Sequence, residues 1–374
     1  MPLSASPDPQ AARALRACIG KIATGPEYSK DLSFDEAYTA MRYILEGQVD
    51  PVQSGVFLIA LRMKRETDAE NAGVLRAIAD STTTATANVD DLVDIADPYD
   101  GFVRCLPVSP FLPAVLAACG APAICHGLET VAPKYGITHR QVLRAVGIDV
   151  DLDVSQAAAR VSDPRTGWAY VDQQSFCPVL HALTGLRALI VKRPAISTVE
   201  NMTAPVRGRR RTHLIIGYVH KAYPPVYARL ARASGFASAA LIRGAEGGVL
   251  PSLRQPAKVF EYHDSDELNL RETDPAELAI AQPFRALPLP EHLTTAKAQD
   301  ELESALDRAA AAKAAARAGL AALEGEPGAA RDSLVYGAAI VLTHLRRFGT
   351  LPAAAEVIRQ RLDTGAARAK FFGE

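Results

Sequence analysis

The chain has 374 residues, 48% of them hydrophobic, with 41 basic and 42 acidic side chains. This length and apolar content are enough for two domains, and the near-zero net charge excludes a global field that attracts nucleic acid or a membrane surface. The sequence has no run of 18 apolar residues and no basic start followed by an apolar segment, so we expect neither a transmembrane helix nor a secretory signal.

The cysteines form no Cys-x-x-Cys pair, and most of them lie in apolar runs. We therefore expect buried, reduced thiols rather than disulfides or metal ligands, and a cytoplasmic protein. The five are Cys18, Cys105, Cys119, Cys125 and Cys177.

The first part of the chain predicts helices only. Residues 1–9 are rich in Pro and Ser, which predicts a disordered tail. In residues 10–84, apolar positions repeat at helical spacing in four segments. Ser33 and Glu36 have the spacing of a capping box, and Thr67 is placed to cap the fourth helix. These features predict a small helical domain at 10–84.

From residue 85 to the C-terminus, strand-like and helical patterns alternate, which predicts an α/β domain with a mostly parallel sheet. The predicted strands are 92–95, 121–125, 188–191, 213–219 and 239–242, with an edge hairpin within 261–271. The predicted helices are 110–119, 138–146, 155–160, 224–234, 296–323, 333–346 and 351–362. We expect the ligand cleft to lie between the helical and the α/β domain.

Polar residues and glycines follow two predicted strands just before helices begin, where α/β proteins place ligand sites. The first group is Asp100-Gly101 and the second is His126-Gly127. No metalloprotease, nucleophile-elbow, P-loop or zinc-finger spacing occurs, which argues against those enzyme classes.

The order of these segments resembles glycosyltransferase family 3, the anthranilate phosphoribosyltransferase and nucleoside phosphorylase superfamily. The resemblance runs from about residue 12 to the C-terminus and is carried at the two ends by SFDEAYTAMRYILEG at 33–47, FLIALRMKRET at 57–67 and GAARDSLVYGAAIVL at 328–342. It implies a helical dimerisation domain, hence a homodimer, and an α/β domain that holds phosphoribosyl diphosphate and Mg²⁺. The departures described next place the chain in a divergent branch of that family.

The first departure is in the diphosphate loop, which reads Gly-Thr-Gly-Gly-Asp-Gly in the family. This chain has Ala-Asp-Pro-Tyr-Asp-Gly at 96–101, so only Asp100 and Gly101 match. Proline removes an N–H donor, tyrosine fills space, and Asp97 places a negative charge against a polyanion. Of the helix start that follows, Ser109 alone remains, as a phosphate contact or as a helix N-cap.

The second departure is in the loop that reads Lys-His-Gly-Asn-Arg and then Ser-Ser-Lys-Ser-Gly in the family. This chain keeps His126, Gly127, Lys134 and Gly136, but two of the three cationic positions are Cys125 and Glu129. Lys134 is either a phosphate contact or a solvated lysine.

The third departure removes the paired carboxylates that bind Mg²⁺ in the family, because Val249 and Leu250 stand in their place. Glu246 alone does not replace them, so we predict no metal site, and Mg²⁺ only if phosphoribosyl diphosphate is still bound. Arg243 and the neighbouring glycines suggest an anion-binding nest instead.

Two arginines match the family by position. Arg187 falls where the family binds the carboxylate of anthranilate, and Arg193 matches an arginine downstream. An arginine fork suits a carboxylate or a phosphate, and we expect Arg187 to face the cleft; the alternative is a surface arginine beside a strand.

Basic residues elsewhere suggest a second kind of ligand. The densest patch is Arg207, Arg209, Arg210 and Arg211, which either contacts nucleic-acid phosphates or is a solvated loop. His220 and Lys221 follow the strand at 213–219, where they would face the cleft mouth and bind a base or an aromatic ligand. With Arg193 and Lys221, the arginines would form a positive rim around the cleft.

Two hypotheses remain open. The first is a pentosyltransferase-fold protein with degenerate diphosphate and Mg²⁺ sites, which binds an anionic phosphorylated ligand in the cleft. Classical anthranilate phosphoribosyl transfer is not expected, and the sequence leaves open whether any pentosyltransferase activity remains. The second is a non-catalytic homodimer that binds single-stranded nucleic acid through the arginine loop.

Overall fold

The computed structural model describes residues 8–25, 27–264, 267–293 and 306–374. Residues 1–7 of the predicted disordered tail lie outside the described residues. The first helix begins at Pro9, which the sequence had assigned to that tail. Part of the helix predicted at 296–323 also lies outside them.

Four helices form the first domain, and each is capped by a side chain that its sequence provides. The hydroxyl of Ser33 accepts the Glu36 N–H, and the Glu36 carboxylate accepts the Ser33 N–H, so the predicted capping box is confirmed. Thr67 caps the fourth helix in the same way. The helices are α1 Pro9–Ile22, α2 Phe34–Leu45, α3 Pro51–Lys64 and α4 Asp68–Asp80.

The remainder is an α/β domain whose main sheet has seven strands. Its elements in chain order are β1 Ala85–Thr86, β2 Asp91–Ala96, α5 Leu112–Ala118, β3 Ala123–Gly127, α6 His139–Ala145, α7 Val154–Ser162, β4 Trp168–Asp172, α8 Gln173–Phe176, α9 Pro178–His181, α10 Thr184–Ile190, β5 Val206–Arg207, β6 Arg211–Gly217, α11 Tyr223–Ala233, β7 Ser238–Ile242, β8 Ala257–His263, β9 Asn269–Thr273, α12 Arg308–Leu323, α13 Ala329–His344, α14 Leu351–Asp363 and α15 Ala366–Phe372.

The strand order in the main sheet is β4-β3-β2-β6-β7-β8-β9, and β1 pairs with β5 in a separate two-stranded sheet. The first five strands of the main sheet are parallel, whereas β8 and β9 are antiparallel. The predicted fold class is therefore confirmed, and the antiparallel pair is the predicted edge hairpin. In the described part of the chain, no helix is long and apolar enough to cross a membrane.

Alternate side chains of the sheet enter two different hydrophobic cores, as the two-residue period of a strand requires. In β2, Leu92 and Ala96 pack with the helical domain, whereas Val93 and Ile95 pack with the C-terminal helices. Asp94 shares the face of Leu92 and Ala96, so it points toward the helical domain. All five cysteines are free thiols, as predicted, and Cys119 is the one that is partly exposed.

One predicted strand is wrong and one strand of the main sheet was missed; the two-residue strands β1 and β5 of the second sheet were not predicted either. The run at 188–191 is not a strand: its first three residues end α10, and Val191 terminates that helix at φ +67°. A short apolar run does not by itself distinguish a buried helix from a strand, and this run belongs to a helix. The missed strand is β4, whose aromatic and valine residues do favour a strand.

The parallel strands β2, β3, β6 and β7 end at one edge of the sheet, and this edge positions the site. The loops that follow them begin at Asp97, Leu128, Tyr218 and Arg243. The segment 207–211 comes before β6 and therefore lies at the opposite edge. A seven-residue strand spans roughly 20 Å, which is the separation to expect between the two edges.

Candidate functional site

A cavity of about 150 Å³ lies between the helical domain and the loops at the strand ends. Arg62 of α3 lines it from the helical side, and four tyrosines line it from the α/β side. The ionic lining residues are Arg62, Arg187, Arg193, Asp100, Glu200 and Glu246, and the tyrosines are Tyr99, Tyr218, Tyr223 and Tyr227. We call this space the interdomain cavity.

Tyr99 and His126 form part of a buried chain of hydrogen bonds. The Tyr99 hydroxyl lies 2.7 Å from Nδ1 of His126, and Nε2 of His126 lies 2.8 Å from Oδ1 of Asp94. Each ring nitrogen of His126 thus has one buried hydrogen-bond partner, Tyr99 at Nδ1 and Asp94 at Nε2. Burial raises the pKa of Tyr99 well above its usual value. The predicted ligand contact His126 is thus held inside the protein, with 1% of its surface exposed, and Gly127 is buried in β3.

Asp97 and Ser109 form a second buried cluster. Oδ2 of Asp97 accepts from Ser109 and, at 2.7 Å, from Nε2 of His139, while Oδ1 accepts the Val249 N–H at 2.7 Å. Burial by itself raises the pKa of Asp97, but these hydrogen bonds hold it below its usual value. Ser109 therefore braces the loop from inside. It is neither exposed to a ligand nor a side-chain cap of the helix.

Asp100 neutralises two cations that the sequence assigned to ligand binding. Its Oδ2 accepts from Nε and Nη2 of Arg193 at 2.9 and 2.6 Å. Its Oδ1 lies 3.5 Å from Nζ of Lys134. The predicted residues Asp100, Lys134 and Arg193 do come together, but as an internal salt-bridge cluster. Lys134 is accordingly neither a solvated lysine nor a free phosphate contact.

The carboxylate of Glu246 lies among groups that bind anions. It accepts from the backbone N–H of Val103 at 3.1 Å and of Arg104 at 2.7 Å, and it lies 3.6 Å from Nζ of Lys134. Two amides and a lysine around one anionic group are the surroundings that a phosphate oxygen seeks. Glu246 has φ +52°, an uncommon value for a non-glycine residue.

Arg187 faces the interdomain cavity, but both of its terminal nitrogens are paired, whereas its buried Nε has no partner among the described residues. Its Nη1 and Nη2 lie 2.6 and 2.8 Å from the carboxylate oxygens of Glu200, and its side chain is 1% exposed. Both alternatives from the sequence need correction, because Arg187 lies on a helix and is neither a surface residue nor a free fork. The ion pair consumes the charge that a ligand carboxylate would need.

The glycines at the strand ends are required by close backbone packing. A Cβ on Gly101, at φ +72°, would lie 2.6 Å from the carbonyl oxygen of Ile137, and one on Gly217 would lie 2.0 Å from that of Gly247. The amides of Gly244 and Gly248 donate to backbone carbonyls of the same segment. The glycine amides that the predicted anion-binding nest beside Arg243 would use are therefore already engaged.

The residues at the family's metal position do not fit Mg²⁺. Val249 is fully buried, and its amide is bonded to Asp97. The carboxylate of Glu246 is occupied as described above. Among the described residues, no group of three or more His, Cys, Asp or Glu side chains is arranged to hold a metal ion.

His220 and Lys221 are exposed at the cavity edge of the sheet, as predicted, and His220 lines the interdomain cavity. The ring of His220 lies 6.0 Å from that of Tyr223, which lies 5.2 Å from that of Tyr227. The tyrosines continue into α11. His220 thus joins an aromatic wall, whereas Lys221 does not line the cavity.

The arginine loop is not part of this site. Arg209 pairs with Asp90 at 2.7 Å and Arg211 with Asp91 at 2.9 Å. Arg207 donates to the carbonyl oxygen of Ser234, and Arg210 lies 3.9 Å from Asp90. Because the loop precedes β6, the predicted positive rim around the cleft does not form.

Sequence reasoning missed Arg62 and Glu200 as cavity residues. Arg62 comes from a helix remote in sequence, where its spacing marks it only as a partly exposed position. Nη1 of Arg62 lies 3.2 Å from Thr198 and 3.4 Å from Glu66. Glu200 follows a short 3-10 helix, Ala195–Thr198, and nothing in the sequence indicates its pairing with Arg187. Only tertiary packing reveals either residue.

The two domains of the chain match two domain models of one family. A model of the glycosyl transferase family helical bundle domain matches residues 16–82, and a model of the glycosyl transferase family a/b domain matches residues 103–368. The anthranilate phosphoribosyltransferases of Rhodopseudomonas palustris and Azospirillum brasilense are 25% and 27% identical over 95% of this chain and over 95% and 90% of their own. An uncharacterized protein of Aquifex aeolicus is 29% identical over 62% of this chain and 68% of its own.

Solved structures show the same architecture. The anthranilate phosphoribosyltransferase of Thermus thermophilus has a TM-score of 0.70 at 19% identity, covering 96% of this chain and 97% of its own. The Saccharomyces cerevisiae enzyme, solved in complex with PRPP and Mg, has a TM-score of 0.72 at 14% identity, covering 96% of both chains. At these identities the likeness concerns the fold.

Proposed function

The chain belongs to the glycosyl transferase family, and from that premise we propose that it keeps the family's fold as a ligand-binding protein and does not transfer a phosphoribosyl group from phosphoribosyl diphosphate. The observation that carries the proposal is the internal pairing of Lys134 and Arg193 with Asp100 and Glu246. A diphosphate would have to compete with these carboxylates for Lys134 and Arg193.

The charge balance of the interdomain cavity supports a ligand of low charge. Three arginines and three carboxylates line it, so a diphosphate with several negative charges would meet no net positive field. Its volume of about 150 Å³ lies below the roughly 300 Å³ at which typical ligand pockets begin. We propose a small anionic ligand with one acidic group, a sugar monophosphate included.

Arg62 and Arg193 are the cations that such a ligand would contact, and they would do so in addition to their present pairs with Glu66 and Asp100. Their side chains are 28% and 45% exposed, whereas Arg187 is buried at 1%. The tyrosine wall offers an apolar face for a sugar or aromatic ring. Both features belong to the cavity as a whole, so the ligand would touch the helical and the α/β domain together.

Calorimetry with three probes tests this function: ribose 5-phosphate, anthranilate, and phosphoribosyl diphosphate with Mg²⁺. We expect measurable binding of ribose 5-phosphate or anthranilate that Arg193→Gln weakens about tenfold, since a charge-assisted contact is lost. Arg229→Gln, which alters an exposed arginine paired with Asp68, is the matched control and should bind like the wild type.

Phosphoribosyl diphosphate with Mg²⁺ should not bind the wild type at submillimolar concentration. The double variant Asp100→Asn/Glu246→Gln frees Lys134 and Arg193 and should gain affinity for it. Tight binding by the wild type, or formation of a phosphoribosyl product with anthranilate, would refute the proposal.

The nucleic-acid hypothesis stays a prediction with no contact to favour it, because Arg209 and Arg211 are paired with carboxylates. A titration with single-stranded DNA at two salt concentrations tests it. Binding that weakens steeply with salt and is lost in Arg209→Gln/Arg211→Gln would establish it.

We also propose a homodimer formed through the helical domain, in a cytoplasmic location. Val52 and Met63 on α3 are 73% and 75% exposed, and Leu189 on the adjacent α10 is 82% exposed. Large apolar side chains exposed together are typical of a protein–protein interface. The free thiols suit a reducing compartment.

A further inference from the structure

A small cavity of about 80 Å³ lies at the edge of the sheet opposite the interdomain cavity. Its walls come from the starts of β2 and β6, the end of β8 and the segment that follows α13. Because β8 runs antiparallel to β7, its end meets the starts of the parallel strands. The lining includes Asp91, Arg211, His213, His263, Arg346 and Arg347. We call this space the amino-edge cavity. Of these residues, the sequence singled out Arg211 only, for nucleic acid.

A buried chain of hydrogen bonds fixes two histidines beside this cavity. The hydroxyl of Ser238 lies 2.8 Å from Nδ1 of His213 and 2.8 Å from Nε2 of His344. Nδ1 of His344 lies 3.1 Å from the carboxylate of Glu261, which accepts from Arg271 at 2.7 and 2.9 Å. The chain joins three strands to α13, so the positions of both imidazoles are set by the fold.

The ring of His263 lies against this chain but makes no hydrogen bond. Its centroid is 4.4 Å from that of His344, and Ser238 lies directly opposite it in the pair of β7 and β8. In the part of the chain that the structure describes, neither ring nitrogen of His263 has a partner. Nε2 of His213 also lacks a hydrogen bond, since Oδ1 of Asp91 is 3.7 Å away. Two imidazoles at this cavity therefore keep unpaired nitrogens.

The turn after α13 adds two arginines. The amides of Arg346 and Arg347 donate to the carbonyl oxygens of Thr343 and Leu342, which is the hydrogen-bond pattern of a Schellman motif. Arg346 has φ +57°, at a position where glycine is usual. Its side chain forms no hydrogen bond or ion pair with any described residue. Arg347 donates to the carbonyl oxygen of Gly120 at 2.7 Å, which leaves its charge uncompensated.

The carboxylates that line the cavity do not balance these cations. Asp91 accepts from Nε and Nη2 of Arg211 at 2.9 and 3.2 Å, so the charges of this pair cancel. Asp264, the other lining carboxylate, is exposed and has no ion pair within the described ranges. Three arginines thus stand against two carboxylates, and the cavity keeps a positive charge with both histidines neutral.

We propose that the amino-edge cavity binds one inorganic tetrahedral oxyanion, phosphate or sulfate, between Arg346, Arg347 and His263. Guanidinium forks and imidazole N–H groups are suitable donors to such an ion. A single water needs roughly 10–15 Å³ of a cavity, so about 80 Å³ has room for this ion but not for an attached sugar or base. The loops at the carboxyl edge take no part, so the site does not depend on the proposed ligand of the interdomain cavity.

Binding of the oxyanion should be coupled to proton uptake by His263. Burial lowers the pKa of His263 to about 4. The charges of His344 and Arg346 act in the same direction, whereas those of Glu261 and Asp264 oppose it. An anion beside the ring favours the imidazolium, so the pKa of His263 rises in the complex. Affinity should therefore increase as the pH falls and should level off below about pH 4.

Calorimetry with sodium sulfate at about pH 8 and about pH 5, at constant ionic strength, tests the site. Sulfate keeps the same charge at both pH values, so any change in affinity comes from the protein. We expect the wild type to bind at millimolar concentration at the lower pH. Affinity should be about tenfold higher there, as a rise of about two pKa units on binding would give. Titrations in two buffers of different protonation enthalpy should show proton uptake.

Two substitutions separate the parts of the site. Arg346→Gln should weaken sulfate binding about tenfold at both pH values, because a charge-assisted contact is lost. Arg346→Lys keeps the charge and should bind more tightly than Arg346→Gln. His263→Asn should remove the pH dependence and leave the affinity at the higher pH nearly unchanged. Circular dichroism of each variant separates lost binding from lost folding.

Arg361→Gln is the matched control, since Arg361 is exposed on the neighbouring α14 and does not line the cavity. It should bind sulfate like the wild type, as should Arg193→Gln in the interdomain cavity. No binding at either pH, or an affinity independent of pH, would overturn the proposal. Loss of binding in Arg193→Gln but not in Arg346→Gln would place the ion in the interdomain cavity and overturn it too. Displacement of sulfate by single-stranded DNA would assign these groups to nucleic-acid phosphates instead.

Discussion

Three carboxylates of the loops at the strand ends engage the hydrogen-bond donors and cations around them. Asp97, Asp100 and Glu246 accept hydrogen bonds or ion pairs from His139, Arg193, Lys134 and backbone amides. The sequence predicted that Asp97 opposes a diphosphate, because its position in the loop is fixed by the neighbouring Asp-Gly pair. It did not predict the partners, which are remote along the chain: His139 is 42 residues from Asp97, Arg193 is 93 residues from Asp100, and Val103 is 143 residues from Glu246.

Acid sensitivity is a further consequence of single residues. His213 is held in the sheet by Ser238, 2.8 Å from Nδ1, and it faces Asp91, Arg211 and His344. Burial lowers its pKa to about 4, against about 6.5 in the unfolded chain. Between these values the unfolded state binds a proton that the folded state does not, so the free energy of unfolding falls as the pH falls.

We therefore predict that the stabilisation from His213 is complete above pH 6.5 and is lost toward pH 4, at a cost on the order of 2 kcal/mol. Urea unfolding at several pH values measures it. His213→Asn keeps a polar atom near Ser238 and should flatten this pH dependence. The control His220→Asn, at an exposed position, should keep the wild-type slope. An unchanged slope in His213→Asn would assign the acid sensitivity to other groups.

At the scale of elements, the two retained glycines hold two loops against each other. The segments after β2 and before α6 meet in a backbone bridge between Phe102 and Ile137. A Cβ on Gly136 would lie 2.5 Å from the amide nitrogen of Phe102. This contact between the loops explains why Gly101 and Gly136 are retained. From the sequence alone, the two glycines would be interpreted as remnants of a phosphate-binding site.

Alanine substitution at two glycines with similar backbone conformations distinguishes the loop-contact explanation from the phosphate-binding one. Gly101 and Gly147 have φ +72° and +79°, but a Cβ on Gly147 meets nothing within 4 Å. Both variants should lose about 1 kcal/mol for the left-handed conformation. Gly101→Ala should lose a further ~1–3 kcal/mol for the clash with Ile137. Equal unfolding midpoints of the two variants would contradict the loop-contact explanation.

Elements with a clear period and a cap could be predicted from the sequence, and elements defined only by packing could not. The capped helices α2 and α4 and the strands β2, β6 and β7 lie where their patterns place them. The run at 188–191 lacks a period and became part of a helix. The pairing of Arg187 with Glu200 is set by the tertiary fold, so it could not be predicted from the sequence.

At the scale of the whole molecule, the sheet separates two functional edges. The carboxyl edge carries the interdomain cavity, and the opposite edge carries the amino-edge cavity and the arginine loop with its carboxylate partners. Clustering of arginines along the sequence indicated a basic surface, but the direction of β6 decides on which edge it lies. The topology thus explains why cations predicted to act together are on different edges.

The exposed apolar face of α3 is the surface through which we expect two copies of the chain to associate. Val52, Val56 and Met63 are 73%, 39% and 75% exposed, and at 100° per residue they fall within a narrow arc of the helix. Leu186 of α10 lies beside this helix, since a Cβ on Gly55 would be 3.6 Å from it. Burying such a stripe against a second copy removes apolar area from water on both chains.

We predict that light scattering coupled to size exclusion will give twice the chain mass of 39.9 kDa. Met63→Glu should shift the protein toward the monomer, because each dimer would bury two unpaired carboxylates. Leu270→Glu is the matched control, since Leu270 is also exposed, at 48%, but lies on the edge strand β9. A wild-type monomer, or dissociation by Leu270→Glu alone, would place the interface elsewhere. Because α3 also supplies Arg62 to the interdomain cavity, a dimer through α3 would restrict the helix that closes that cavity.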